Sequence, residues 1–164
     1  MISKAYVLLS LLFLGTIISC SDNAEVEKEN SISAFEIWND TIVKQKYEDG
    51  SIQTVWGYRS GDTIMHYQWS YYKNGELWLE GPSDGNLRHG KWKAYNESGV
   101  LVAQGTYKMG EATGIKTVWY DNTTKFYEGE MKDNKRIGIW KFFDKKGELV
   151  KEIDYSKNDT IIHK

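Results

Sequence analysis

Three kinds of residue in this chain invite a chemical reading: a column of acids, a few histidines and a single cysteine. Glu80, Glu128 and Glu152 share one phase of a 24-residue spacing, with Gln104 in the remaining slot. Paired carboxylates at a fixed separation are the machinery of glycoside hydrolysis. Here the acids recur because their surroundings recur, so cross-strand pairing with lysines accounts for them. His66, His89 and His163 fall between the regular segments, without the i, i+4 spacing of metal ligands. They are expected in exposed turns. Gly-x-Gly-x-x-Gly and Gly-x-Ser-x-Gly are both absent, and no serine or cysteine has a base placed to activate it. The expected reading is therefore non-catalytic, with no metal and no cofactor.

The cysteine carries a different chemistry. Cys20 is the only cysteine among 164 residues, which excludes a disulfide framework and a multi-thiolate metal site. It follows Lys4 and an apolar stretch from Ala5 to Ile18, too short for the roughly 20 residues that span a bilayer. Ile17-Ile18-Ser19-Cys20 resembles the bacterial lipoprotein signal, with Ile18 standing where that signal favours a small residue. The resemblance implies that residues 1–19 are removed and Cys20 is lipidated. Each acyl methylene contributes about 0.8 kcal/mol to the anchor. Residues 20–34 bear a net charge of −3 and no aromatics, which predicts an acidic flexible tether. An acidic stretch in this place also resembles the surface-export signal of Bacteroidetes-type lipoproteins; a plain solvated linker is the other reading. The expected address is the cell envelope, outer membrane rather than inner, with surface exposure left open.

From residue 35 onward the basic and acidic residues balance, which argues against a nucleic-acid partner, whose phosphates demand excess Lys and Arg. Three Asp-Thr-Ile triplets place Thr41, Thr63 and Thr160 as candidate O-glycosylation positions, by resemblance to the sequon of exported Bacteroidetes proteins. They read equally as loop-to-strand transitions, since Asp suits turns and β-branched residues start strands.

What positions these residues is a repeat. Gly90, Gly114 and Gly138 stand 24 apart; so do Gly75, Gly99 and Gly147, with Thr123 in the missing place. Gly81, Gly105 and Gly129 form a third series, continued by Ile153. Trp92, Lys116 and Trp140 share a column, as do Tyr95, Trp119 and Phe143. Each unit reads as a β-hairpin: Gly90–Tyr95 alternates, Asn96-Glu97-Ser98-Gly99 turns, and Val100–Tyr107 returns. A glycine inside the returning strand costs about 0.5–1 kcal/mol relative to Ala. A ring laid over it would offset that cost, and Trp92 and Trp140 are the expected covers for Gly105 and Gly129. A less regular unit begins near Gly50, and the last one degenerates around Asn158, as end units of arrays do. The prediction is an all-β domain over 35–164: tandem hairpins of 24 residues in one elongated, twisted antiparallel sheet.

Tyr127-Glu128-Gly129-Glu130-Met131-Lys132-Asp133-Asn134-Lys135-Arg136-Ile137-Gly138-Ile139-Trp140 resembles the MORN repeat, and Asn86–Trp92 repeats its turn half. Gly90-Lys91-Trp92 and Gly138-Ile139-Trp140 are similar to the Gly-x-Trp that opens each hairpin in the bacterial YwqK-type antitoxin subfamily. The resemblance covers about Gly50 to Tyr155, with departures at Lys116, Thr123, Met131 and Asn134. It implies a hairpin sheet with a groove, and a scaffold or binding module for lipid heads or proteins. Trp92, Tyr95, Trp119, Trp140 and Phe143 are the candidate binding face for a glycan or an extended peptide; packing against one another and the glycines is the alternative use of the same rings. The leading expectation is a lipid-anchored, non-catalytic binding or scaffold protein. An antitoxin neutralising a partner toxin is the rival.

Overall fold

The computed structural model describes Trp38, residues 40–62 and residues 64–163. The signal segment 1–19, Cys20 with the tether 20–34, and Thr63 lie outside the described residues.

Among the described residues twelve strands follow one another: β1 (Asp40–Lys46), β2 (Ile52–Tyr58), β3 (Met65–Tyr71), β4 (Leu77–Asp84), β5 (Leu87–Arg88) and β6 (Gly90–Tyr95). They continue with β7 (Leu101–Lys108), β8 (Glu111–Trp119), β9 (Lys125–Lys132), β10 (Lys135–Phe143), β11 (Leu149–Asp154) and β12 (Asp159–Ile162). All pairs are antiparallel, and the order β1-β2-β3-β4-β6-β7-β8-β9-β10-β11-β12 has no crossover, with the short β5 paired to β4. The described part is all-β, one open sheet of hairpins, as the glycine series predicts.

Turn chemistry explains the period. In five hairpin turns the fourth residue donates its amide to the first: Gly50 to Tyr47, Gly75 to Tyr72, Gly99 to Asn96, Thr123 to Tyr120 and Gly147 to Asp144, at 2.9–3.0 Å. That fourth residue lies at positive φ every time, and Thr123 takes φ 67° without being glycine. Two of the opposite-end connections are two-residue turns with both φ positive, Met109-Gly110 and Asp133-Asn134, the geometry that matches strand twist. Asn134 tolerates this conformation where the MORN pattern has glycine, and its side chain accepts the Ala112 amide at 2.8 Å.

Successive units are also stitched side by side at their turns. Tyr47, Tyr72 and Tyr120 donate their hydroxyls to the carbonyls of Tyr71, Tyr95 and Phe143, at 2.8, 2.8 and 3.1 Å. Asn74 and Asn122 donate to the Glu97 and Lys145 carbonyls one unit on, at 3.1 and 2.8 Å. Among the described residues the buried apolar core is Trp38, Trp69, Leu79, Trp92 and Trp140. A single sheet has no opposing layer to bury aliphatic side chains against, so indoles lying along the sheet supply the core.

Candidate functional site

Side chains alternate between the two faces of a strand, so residues an odd number apart point to opposite sides. By that rule Trp92 and Trp140 share one face, while Tyr95, Trp119 and Phe143 lie on the other. The five aromatics expected as one binding face are thus divided. Trp92 and Trp140 are almost wholly buried, at 3% and 1% exposure. Tyr95, Trp119 and Phe143 are half-buried on the face that carries the acid column. There Tyr95 donates its hydroxyl to Glu80 at 2.6 Å. Burial, with the Glu80 charge beside it, pushes the Tyr95 and Tyr67 phenols well above their ordinary range.

The acids have structural partners. Glu80 also faces Lys93 at 3.9 Å, and Glu128 accepts from Lys125 and from the Thr117 hydroxyl at 3.0 Å each. Those hydrogen bonds, Lys125 first, hold the Glu128 carboxyl below its ordinary pKa. Glu152 meets His163 at 3.1 Å.

The tryptophan face is organised around glycine. The ring of Trp140 lies directly on Gly129, so closely that a Cβ there would overlap Cδ2 and Cγ. Trp92 does the same over Gly81, where a Cβ would come within 2.5 Å of the ring. Gly129 is covered as expected, but Trp92 covers Gly81 and leaves Gly105 without an indole. Trp92 lies directly opposite Gly105 in the β6–β7 ladder; its ring leans the other way, toward β4. Indole nitrogens then donate across the strand, Trp92 to the Pro82 carbonyl at 2.7 Å and Trp140 to the Glu130 carbonyl at 3.1 Å.

An arginine closes each stack. The guanidinium carbons of Arg88 and Arg136 sit 4.5 and 4.4 Å from the ring centroids of Trp92 and Trp140. Each is also shared with a tyrosine. Arg136 donates to the Tyr155 hydroxyl at 2.6 Å, and Arg88 to that of Tyr107 at 3.5 Å. Arg59 lies over Trp38 at 4.5 Å. The chain has only three arginines among 21 basic residues, and each is placed on an indole. Composition alone held that signal, since a sequence that uses lysine almost everywhere reserves arginine for stacking and planar donation.

Arg88, Trp92 and Tyr107 recur 48 residues later as Arg136, Trp140 and Tyr155, so the full stack appears twice, two units apart. In the unit between, Ala112 stands for the arginine and Lys116 for the tryptophan. No indole lies on Gly105: a Cβ built there would meet only the Lys116 stem (Cγ) and the edge of the Tyr107 ring (Cε2), both at an ordinary contact distance of 3.9 Å. A cleft of about 100 Å³ opens at this point.

The histidines are not uniformly exposed turn residues. His66 is buried within β3, stacked on Trp56 with centroids 3.9 Å apart, and its Nε2 has no partner among the described residues. The sequence places it next to a turn, but β3 begins one residue earlier and points it inward. Burial depresses the His66 pKa, the Lys44 charge adds to this, and a hydrogen bond with the Ile64 backbone opposes it. The unfolded chain protonates this residue near pH 6.5, the folded chain only at lower pH. Its stabilising contribution is therefore complete above about pH 6.5 and lost as pH falls through the folded-state value. Thermal melts between pH 7 and 5 should show a falling Tm in the wild type and a shallower fall in His66→Phe. Parallel slopes would remove His66 as the titrating group.

Thr41 lies exposed in β1 opposite Gly57, and Thr160 exposed in β12 opposite Ile153. In the second triplet, Asp62 accepts the Ile64 and Met65 amides at 2.9 and 3.0 Å, which gives that aspartate a turn-closing role.

Antiparallel hairpins in one open sheet, with glycine–indole–arginine stacks along one face, define a hairpin-repeat protein. A family model described as MORN repeat variant matches residues 88–109 and 136–157, so the chain carries two repeats of this kind. Each match starts at the arginine of one full stack and runs past its tyrosine. No curated protein matches the chain.

Proposed function

We propose that the protein is a lipid-anchored cell-envelope module that binds or scaffolds another macromolecule through its repeat sheet, without catalysis. One observation carries the reading. The two MORN-variant repeats are stacks of arginine, tryptophan and tyrosine on an open sheet, a family of repeats that is generally non-catalytic. The acids that could have suggested hydrolysis are held instead by Tyr95, Lys93, Thr117, Lys125 and His163. Lysine and arginine balance aspartate and glutamate over the repeat domain, which favours a protein or glycan over a polyanion.

Fatty-acid labelling of the expressed protein beside Cys20→Ser, followed by membrane fractionation and cross-linking, tests this. The expected result is label and membrane association in the wild type alone, with an envelope macromolecule cross-linked to the sheet. Soluble, unlabelled wild-type protein would overturn the anchor and put a cytoplasmic antitoxin role ahead, for which an adjacent toxin gene would be sought. Turnover of glycans, peptides or esters by the purified Cys20→Ser protein would overturn the non-catalytic reading.

A further inference from the structure

The cleft over Gly105 is a deletion from the protein's own pattern. Three neighbouring columns are depleted at one place on the tryptophan face. Lys116 stands where the flanking units have Trp92 and Trp140. Ala94 corresponds to Val118 and Phe142, with Ser70 a second small member of that column, and Ala103 to Leu79 and Tyr127. Register puts these losses together: Ala94 pairs with Ala103, Ala103 with Val118, and Gly105 with Trp92. The result is a slot of about 100 Å³ beside Gly105, open to solvent and lined by Trp92, Tyr107 and Lys116 among others. That is less than the roughly 150 Å³ of an enclosed apolar cavity that takes a benzene ring, so an occupying ring stands partly in solvent.

Position 105 is glycine although no indole lies flat on it, as one does on Gly81 and Gly129. A strand glycine without a ring laid over it leaves most of its backbone cost uncompensated, unless something from outside supplies the cover. The flanking units show what that cover is, a planar aromatic ring lying flat on the glycine with an N–H reaching the carbonyl ten residues back. At this position that carbonyl belongs to Thr106.

Charge narrows the occupant further. Arg88 and Lys116 line the slot, and neither makes an ion pair among the described residues. A ring bearing or adjoining a carboxylate is therefore better matched than a neutral one.

We propose that the slot over Gly105 receives an aromatic side chain flanked by an acidic residue, presented by a protein partner and completing the missing stack of the central unit. This rests on the reading of the sheet as a binding module and gives it a site. A sugar ring could also lie on glycine, but the slot offers two cations and a cover position that the chain itself fills with indole.

The test uses 5-fluoroindole-3-acetate as the aromatic-carboxylate probe and 5-fluoroindole as its neutral counterpart, followed by fluorine NMR on the full chain carrying Cys20→Ser. A fragment of this size should bind with a Kd on the order of 1 mM, and the neutral probe several-fold more weakly. Lys116→Trp fills the slot from within and should raise Tm while weakening binding tenfold or more. Ala103→Leu narrows the slot without touching a charge and should weaken binding likewise, which covers the case where the tryptophan variant misfolds. The inference fails if neither probe binds at roughly 10 mM, tenfold above the expected Kd. It fails too if both variants bind as the parent does, or if a cell-wall disaccharide displaces the probe or binds in its place. A failed slot with a cross-linked envelope partner still recovered would leave the binding-module reading intact; failure of both would remove it.

Discussion

Trp140→Ala should lower the stability of the repeat domain by about 3–5 kcal/mol, the cost of emptying a fully buried aromatic site. Domains of this size have about 5–15 kcal/mol in total, so the variant should melt roughly 10–20 °C lower or fail to fold at all. The expectation rests on how much depends on one ring. Trp140 is 1% exposed, lies on Gly129, donates to the Glu130 carbonyl, and carries Arg136 on its outer face. Truncation strips the glycine of its cover, orphans the carbonyl bond and leaves the guanidinium with Tyr127 and Tyr155 alone. Trp119→Ala is the matched control. That indole is half-buried on the opposite face and covers no glycine, so the loss there should be less than half as large. Equal losses in thermal or urea melts would mean that the stacks are not where the stability of the sheet resides.

Much of this architecture is legible in the sequence, for a specific reason. A glycine that must adopt positive φ is a backbone statement written directly in the residue type, and the turn series at Gly75, Gly99 and Gly147 announces both the hairpins and their period. Thr123 and Asn134 show the rule surviving substitution: both adopt the left-handed backbone, at φ 67° and 64°, because the turns on either side fix the chain. Harder to read are the relations across the sheet. Trp92 has a glycine beside it on both neighbouring strands, and periodicity cannot say whether its ring leans toward Gly81 or Gly105. Only the side-chain direction in the folded ladder decides. The split of the aromatics between two faces, by contrast, follows from parity: Trp92 and Tyr95 are three apart on one strand. His66 illustrates a third limit, since a residue near a turn becomes a core residue when its strand starts one position earlier.

The central slot belongs to both categories. Lys116 stands out in the sequence as the member of the tryptophan column that is not aromatic. Its consequence depends on Ala94 and Ala103, two residues with no individual signal, meeting across the β6–β7 ladder directly beside it. Three independent columns failing together is a local pattern that only register reveals. The same register also explains why the failure is tolerated. Arg88 and Tyr107 still close the stack over Trp92 from their own side, so the gap is bounded by an intact unit.

Glycine-to-alanine substitution separates the covered from the bare positions, and the contrast should be large. At Gly81 a new Cβ would come within 2.5 Å of the Trp92 ring, and at Gly129 it would overlap the Trp140 ring more severely. Neither ring can retreat without giving up its hydrogen bond to Pro82 or Glu130. Gly81→Ala and Gly129→Ala should each cost about 1–3 kcal/mol, the range for overpacking a rigid site. Gly105→Ala meets nothing closer than 3.9 Å and lies outside the left-handed region. It should be neutral, or stabilising by about 0.4–1 kcal/mol through a less disordered unfolded chain, while making the slot shallower for the fluoroindole probe. A double-mutant cycle locates the cause. In the Trp140→Ala background, Gly129→Ala should lose most of its cost, a coupling of about 0.5–3 kcal/mol between residues in direct contact. If Gly129→Ala were equally damaging with the ring removed, backbone conformation rather than the indole would explain the glycine. In that case the bare glycine at 105 would need no occupant, because all three glycines would be kept for the strand itself.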